Sequence, residues 1–188
     1  MSQESIEVVR KPLRVRERSS RTLDQRLSLR FPRLFDAYVR LIGRLPPSSR
    51  LRQATLWRGT RLGFEAFNRR DLDAALLGCH PDCELHPPRE VVESGFAAPC
   101  YRGPAGYREY VSTALEVWDA SARVEPVELV DLGDRFVVLA DVPWRAQASG
   151  VPLTGQFAIF YTLRDGRVMH LQEYLDHAEA LEAAGLRE

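Results

Sequence analysis

Six side chains that could do chemistry lie within ten residues of one another, in the stretch CHPDCELHPP at positions 79–88. Thiolates and imidazoles are the ligands that zinc prefers. The candidate zinc ligands are Cys79, Cys83 and His86, with His80 or Asp82 as a fourth. The spacing argues against such a site, because Cys-x3-Cys followed closely by histidine is not a zinc-knuckle pattern. We therefore predict no metal and no other cofactor, and a strand that begins in this stretch.

The direction of His86 decides whether it can take part in catalysis. In a strand over residues 82–87, side chains alternate between faces, so Cys83 and Leu85 point away from His86. The apolar pair would face the core, which leaves His86 at solvent, at a rim or at an interface. His86 is a candidate catalytic base only if the two prolines that follow turn it inward.

Several familiar sites are absent from the sequence. It has no Gly-rich phosphate loop, no Gly-x-Ser-x-Gly elbow and no His-Glu-x-x-His motif. It has three cysteines, which are too few for a disulfide framework and are expected to be free thiols. Because the N-terminus lacks a signal-peptide core and no apolar run approaches about 18 residues, we predict a cytoplasmic protein.

The zero net charge conceals two halves of opposite sign. Residues 1–70 contain 17 basic and 6 acidic residues, and the remainder contains 9 basic and 20 acidic ones, so the balances are +11 and −11. A basic segment can bind nucleic acid or an anionic membrane. Here an acidic surface is covalently attached, so we predict that the basic segment lies on its own domain or on a second copy.

The N-terminal part separates into two segments. Residues 1–30 are polar and Arg-rich without clear periodicity, which predicts a flexible or loosely docked arm. At about 31–45 an apolar stripe opposes arginines, which predicts an amphipathic basic helix. We expect this helix to dock on the core or on a second subunit, and a membrane-surface helix is the alternative. The predicted domain boundaries are therefore an extension over 1–50 and a folded domain over 51–188.

Helical periodicity gives way to strand periodicity after residue 121. Helices are predicted at 49–70, 71–78 and 104–119, with Ser48 or Ser49 and Asp71 as caps, and a strand at 82–88 precedes a loop to residue 103. Four strand-like runs separated by tight turns follow, at 122–134, 135–150, 151–166 and 167–176. A helix over 177–186 completes an α+β arrangement in which helices cover a curved antiparallel sheet.

Five phrases in this order resemble the SnoaL-like branch of the nuclear transport factor 2-like superfamily: FEAFNRRDLDAAL, YRGPAGYREYV, LVDLGDRFVVL, YTLRDGRV and EYLDHAEALEAAGL. The resemblance covers about residues 55–188 and implies a cone-shaped sheet around a deep, mostly apolar pocket, often in a homodimer. Residues 11–54 then look like an insertion. Members of this superfamily range from isomerases, cyclases and epoxide hydrolases to proteins without catalysis, so the fold does not decide the function.

The steroid-isomerase apparatus of this superfamily is absent from the matching positions. Pro87, or His86 after a shift of one residue, stands where the catalytic aspartate is expected. Gly63 stands at the tyrosine position and Ile159 at the position of the protonated acid. The resemblance therefore implies a pocket without that triad.

By the superfamily alignment, Glu173 faces the pocket among apolar neighbours, which would raise its pKa and suit it to acid or base catalysis. The alternative is a structural hydrogen bond or an ion pair with His86 or Arg102. Tyr110 and Trp144 are candidate pocket walls. The other predicted lining residues, for most of which core packing is the alternative, are Val138, Ala140, Val142, Phe157, Ile159, Tyr161 and Leu171.

Two functional hypotheses follow. In the first, a SnoaL-like homodimer binds a small apolar molecule, polyketide-like or steroid-like, and Glu173 and His86 form the candidate acid/base pair of a cofactor-independent isomerase, cyclase or hydrolase. This hypothesis expects neither nucleic acid nor a membrane as a partner. In the second, the pocket is vestigial and the basic helix docks a partner or a membrane.

Overall fold

The computed structural model describes residues 8–117, 123–145 and 152–186. Their strands form a single curved sheet in the order β1-β4-β5-β6-β7-β2-β3. The strands are β1 (Val9–Pro12), β2 (Cys79–His86), β3 (Tyr101–Arg102), β4 (Glu125–Asp131), β5 (Arg135–Arg145), β6 (Pro152–Arg164) and β7 (Arg167–Tyr174). Neighbouring strands are antiparallel except β2 and β7, which are parallel.

The helices lie before, between and after the strands. They are α1 (Leu23–Arg30), α2 (Pro32–Gly43), α3 (Arg50–Asn68), α4 (Leu72–Ala75), α5 (Arg89–Glu93), α6 (Gly103–Val117) and α7 (His177–Ala183). Two predicted caps are confirmed, because the Ser49 side chain accepts from the Arg52 amide and the Asp71 side chain from the Ala74 amide. Beyond α7, Gly185 adopts a positive φ of 82°, which ends the helix as expected.

The predicted meander is confirmed in strands β4 to β7, each of which pairs with the next one along the chain. Register shifts interrupt the ladders between Pro126 and Glu128 and between Thr162 and Leu163. Such irregularities increase the local twist and let a sheet bend. The predicted α+β class with a curved sheet is therefore confirmed. The prediction of a loop up to residue 103 was wrong in part, because this segment contains α5 and β3.

The sheet has an apolar core on each face. On the concave face, buried side chains from β5, β6 and β7 pack with those of α3 and α6. On the convex face, α7 places Ala180 and Leu181 against β5 and β6. Both faces of the central strands are thus covered, which agrees with their near-continuous apolar sequence.

The N-terminal segment is more ordered than its sequence predicts. β1 adds a strand to the free edge of β4, and Leu13 after it is fully buried. Glu65 of α3 is buried and binds this segment, since its carboxylate accepts from the Arg16 amide at 3.1 Å and pairs with Arg18 at 3.1 Å. The prediction of a flexible or loosely docked arm is therefore wrong for the described residues from position 8, because edge-strand pairing and a buried carboxylate fix this segment.

A buried ion pair joins α3 to the end of β4. The Arg52 guanidinium lies 3.1 Å from the Asp131 carboxylate, and both side chains are almost wholly buried. Asp131 also accepts from the Gly133 amide at 3.0 Å, and Arg52 donates to the Gly133 carbonyl. The pair orients α3 across the concave face.

Backbone contact holds α2 against the turn between β6 and β7. A Cβ on Gly43 would lie 2.6 Å from the Gly166 amide nitrogen, and one on Gly166 would lie 2.5 Å from the Val39 carbonyl. Only glycines allow the two backbones to approach so closely. Asp36 adds an ion pair with Arg167 beside this contact.

Candidate functional site

A cavity of about 540 Å³ lies between the concave face of the sheet, α6 and the N-terminal helices. This volume lies within the range of about 300–1,000 Å³ typical of small-molecule sites. Most of its lining is apolar or aromatic. From the sheet and α6 the lining includes Tyr107, Tyr110, Val111, Ala114, Phe136, Phe157, Ile159, Tyr161, Leu171 and Glu173.

Glu173 of β7 is the carboxylate that the strand alternation delivers into this apolar cavity. Its neighbour Leu171, two positions earlier, lines the same cavity, as the period of a strand requires. Glu173 is 6% exposed, and its Oε2 accepts a hydrogen bond of 2.7 Å from the Tyr110 hydroxyl. A structural hydrogen bond was the alternative predicted for Glu173, and its partner is Tyr110. Of the two suggested partners, Arg102 pairs with Glu84 and His86 lies beside Gln172 on the next strand.

Burial dominates the electrostatics of Glu173. Loss of solvation raises the pKa of Glu173 to about 7, and the hydrogen bond from Tyr110 opposes part of that rise. Burial and the Glu173 charge together raise the pKa of Tyr110, so its phenol stays protonated and remains a hydrogen-bond donor. A carboxyl group with a pKa near neutrality can accept or donate a proton at physiological pH.

Two more tyrosines place polar groups around Glu173. Burial, and the charge of Glu173 among smaller causes, raise the pKa of Tyr107 and of Tyr161 well above the usual value. Neither hydroxyl hydrogen-bonds to another residue within the part of the chain that the structure describes. Both phenols are therefore neutral donors that a ligand in the cavity can use.

The wall opposite the sheet is a helical hairpin made of α1 and α2. Leu27, Phe35, Val39 and Ile42 of this hairpin line the cavity. The sequence predicts the amphipathic helix but not its place over a pocket. The available signal is the apolar face of α2, which carries the cavity-lining Phe35 and Ile42.

The predicted lining residues fall into three groups. Tyr110, Phe157, Ile159, Tyr161 and Leu171 line the cavity. The three predicted residues of β5 do not: Val138 and Ala140 are buried in the core cluster, and Val142 packs against it. The backbone of Trp144 pairs with Leu153 near the end of β5, but its side chain lies outside what the structure describes.

The structure does not bring His86 to Glu173. His86 pairs across β2 and β7 with Gln172, so it shares the convex face with Gln172 while Glu173 points into the cavity. Its ring packs against His170 with centroids 4.6 Å apart, and its Nε2 lies 3.6 Å from Glu84. The strand alternation predicted this outward direction. The two prolines do not rotate His86 inward.

The cysteines of the opening motif interact with each other. A hydrogen bond with Cys83 and burial both raise the pKa of the Cys79 thiol. Cys79 lines the cavity, and Cys83 is buried on the core side of β2. His80 accepts from the Asp82 amide at 3.1 Å near the surface. The candidate ligands of the sequence motif therefore divide between two faces of the strand.

Comparison with solved structures gives the class of fold. Similar structures include TerC co-crystallised with polyporic acid, at 26% identity and TM-score 0.56 over 66% of this chain and 94% of that one. Another is an NTF2-like protein of unknown function from Burkholderia pseudomallei, at 26% identity and TM-score 0.55 over 66% and 93%. A third, from Burkholderia thailandensis, is SnoaL-like, with 21% identity and TM-score 0.52 over 66% and 97%. No curated protein matches the chain.

The family follows from the sequence match. The SnoaL-like domain family matches residues 61–171, more than half of the chain, and the protein belongs to this family. The predicted resemblance is thereby confirmed. The helical hairpin lies outside the matched residues. None of the helices that the structure describes has both the length and the apolar content that crossing a bilayer requires.

Proposed function

We propose that this protein binds a small, largely apolar organic molecule of polyketide-like or steroid-like size, and that Glu173 transfers a proton to or from it. The observation that carries the proposal is a buried carboxyl group, hydrogen-bonded by Tyr110, inside a cavity of about 540 Å³. The co-crystal of TerC with polyporic acid supports a small organic ligand for this fold. A cofactor-independent isomerisation, cyclisation or hydrolysis fits these groups.

The polar groups suit a ligand that carries carbonyl or hydroxyl oxygens on an apolar skeleton. The phenols of Tyr107 and Tyr161 can donate to a ligand oxygen, while Glu173 accepts a proton from an adjacent carbon or oxygen. The aromatic lining would stack on flat rings. His86 has no part in this scheme, because it lies on the other face of the sheet.

Filling the cavity should weaken the binding of an apolar ligand. Ala114 of α6 lines the cavity, so Ala114→Phe places a ring inside it, whereas Ala105→Phe on the exposed side of the same helix does not. With 8-anilinonaphthalene-1-sulfonate as a fluorescent apolar probe, we expect Ala114→Phe to weaken binding at least tenfold. The Ala105→Phe control should bind as the wild type does. Equal probe affinity in all three proteins would refute the cavity as the binding site.

A second function, docking on an anionic membrane, is favoured by the outer surface of the helical hairpin. Leu34 is 69% exposed and Leu41 is 63% exposed, and Leu23 and Phe31 of the same hairpin are exposed as well. Large exposed apolar patches rimmed by charge mark interaction sites. The hairpin arginines, none of which ion-pairs with a described residue, are Arg26, Arg30, Arg33, Arg40 and Arg44. An anionic bilayer complements both features, whereas a symmetric second copy would bring like charges together.

Vesicle sedimentation tests the membrane function. We expect the full-length protein to sediment with vesicles containing phosphatidylserine and not with pure phosphatidylcholine, and the double variant Leu34→Ser/Leu41→Ser to lose most of this binding. Leu175→Ser, an exposed leucine elsewhere, is the control. Deleting residues 1–50 is a poor test, because it removes β1 and buried Leu13. If the double variant binds vesicles as the wild type does, the proposed membrane surface is rejected. It is also rejected if the double variant loses dimerisation instead of vesicle binding.

The homodimer and the cytoplasmic location stay predictions. Sedimentation equilibrium of the wild type measures the first, and we expect the mass of two chains.

A further inference from the structure

We propose that Glu84, His86 and Cys100 form a zinc site on the convex face of the sheet, separate from the cavity. One ligand atom from each of the three residues lies within 4.8 Å of those of the other two. Carboxylate oxygen, imidazole nitrogen and thiolate sulfur are all zinc ligands. The site goes beyond the proposed function, because it takes a metal ion and shares no residue with the cavity lining.

The separation of the ligand atoms suits a small tetrahedral ion. Zinc bonds of about 2.0–2.3 Å place tetrahedral ligand atoms roughly 3.3–3.8 Å apart. The His86 Nε2 lies 3.6 Å from the Glu84 Oε2, within that range and too far for a hydrogen bond. The largest separation, at most 4.8 Å, requires only a small movement of one side chain.

The Nε2 atom of His86 has no hydrogen-bond partner among the described residues. It is also shielded from solvent. Buried polar atoms are usually paired, and an unpaired one calls for an explanation such as a missing ion. A metal bonded to Nε2 would satisfy this atom. The packing of the ring against His170 limits its rotation, which keeps Nε2 directed at Glu84.

Neighbouring contacts orient the other two ligands. Arg102, across the β2–β3 ladder, holds the Glu84 Oε1 at 2.9 Å and leaves Oε2 toward His86. In metal sites, contacts of this kind fix the orientation of the side chains that bind the metal. Cys100 immediately precedes β3, and the Ala98 amide donates to the Tyr101 hydroxyl at 3.0 Å, which pins the loop that carries the thiol. The three ligands thus come from a strand and a fixed loop.

This ligand set differs from the motif candidates Cys79, Cys83 and His86, and a metal here would overturn the prediction of no metal made from the spacing of that motif. Cys79 lines the cavity and Cys83 faces the core, so neither shares the convex face with His86. Cys100 lies outside the motif, 14 positions after His86, and the pairing of β3 with β2 brings it near. Three protein ligands leave one tetrahedral position for water, as in open zinc sites.

Cobalt(II) substitution of the full-length protein tests the site, because a thiolate–cobalt bond gives an intense near-ultraviolet charge-transfer band. We expect one cobalt ion per chain with this band in the wild type. Cys100→Ser should abolish the band and weaken zinc affinity, measured by competition with a chromophoric chelator, at least 100-fold. Cys79→Ser, the matched control from the sequence motif, should keep both. His86→Gln should also weaken zinc binding at least tenfold without removing a cysteine.

Zinc should also raise the melting temperature of the wild type and of Cys79→Ser, but not of Cys100→Ser. Circular dichroism establishes that each variant is folded, and if Cys100→Ser is not, His86→Gln decides the question. A wild type that takes up no cobalt would overturn the proposal. So would a band that survives in Cys100→Ser and disappears in Cys79→Ser, since the metal would then sit at the other cysteine pair.

Discussion

Glu173→Gln will remove a pH dependence of stability that amounts to roughly 3 kcal/mol in the wild type, given a carboxyl pKa raised from 4.5 to about 7. Below pH 4.5 both the folded and the unfolded chain carry the proton. Between the two values only the folded chain binds it, so the free energy of unfolding falls as pH rises. Above about pH 7 the loss is complete.

Urea denaturation of the wild type and Glu173→Gln at pH 5 and pH 8 measures this difference. We expect the variant to gain stability relative to the wild type at the higher pH, because the amide is neutral in both states. Glu182→Gln, an exposed glutamate on α7, controls for a lost surface charge and should follow the wild type. Parallel pH profiles for the wild type and Glu173→Gln would show that Glu173 ionises as an ordinary carboxylate.

The same substitution separates proton transfer from binding. With an identified substrate, Glu173→Gln should lower kcat by about 100-fold or more, the usual contribution of a general acid or base. Binding of the apolar probe should change little, because the amide is nearly isosteric. A variant with full activity would reject the catalytic role and leave the binding function standing.

Arg52→Met will lower the free energy of unfolding by about 3–5 kcal/mol, because it leaves the buried Asp131 carboxylate without its partner. The Gly133 carbonyl loses a donor in the same step. Arg50→Met, an exposed arginine in the same helix, is the control and should change stability by less than about 0.5 kcal/mol.

A double variant tells charge burial from lost packing. Asp131→Asn removes the second charge yet keeps a side-chain oxygen for the Gly133 amide. Arg52→Met/Asp131→Asn should therefore be more stable in urea than Arg52→Met alone, since no unpaired charge remains in the core. If the two substitutions simply add, the buried ion pair is not the source of the loss.

The sequence predicted those parts of the fold in which local pattern and tertiary position agree. The period-2 runs gave the meander, and the alternation along β7 put Glu173 and Leu171 on one face because both faces of a strand are fixed by its pleat. The start of α3 at its cap Ser49 was likewise predictable, because it depends on residues adjacent in sequence. His86 lies outward as the alternation of β2 predicts.

The parts that could not be predicted depend on partners distant in sequence. The Tyr110 hydroxyl donates a hydrogen bond to Glu173, which lies 63 positions later in the sequence. No pattern in either segment indicates the other as its partner. β1 is too short to show a period, and its pairing with β4 is decided at the sheet edge. The position of the hairpin over the cavity depends on the close contact between Gly43 and Gly166. These two residues are distant in sequence and meet only in the folded chain.

The strand order has a consequence for the kinetics of folding. β4 to β7 follow one another closely in the sequence, whereas β2 pairs with β7, and β1 with β4, across more than 80 positions. Closing long loops costs entropy before the contacts offset it, so we expect the meander to form first and these two long-range pairings late. The cavity exists only after β2 and the hairpin have docked. We therefore expect a bound ligand to slow unfolding and to leave the folding rate unchanged, because the cavity that binds the ligand is not yet formed in the transition state.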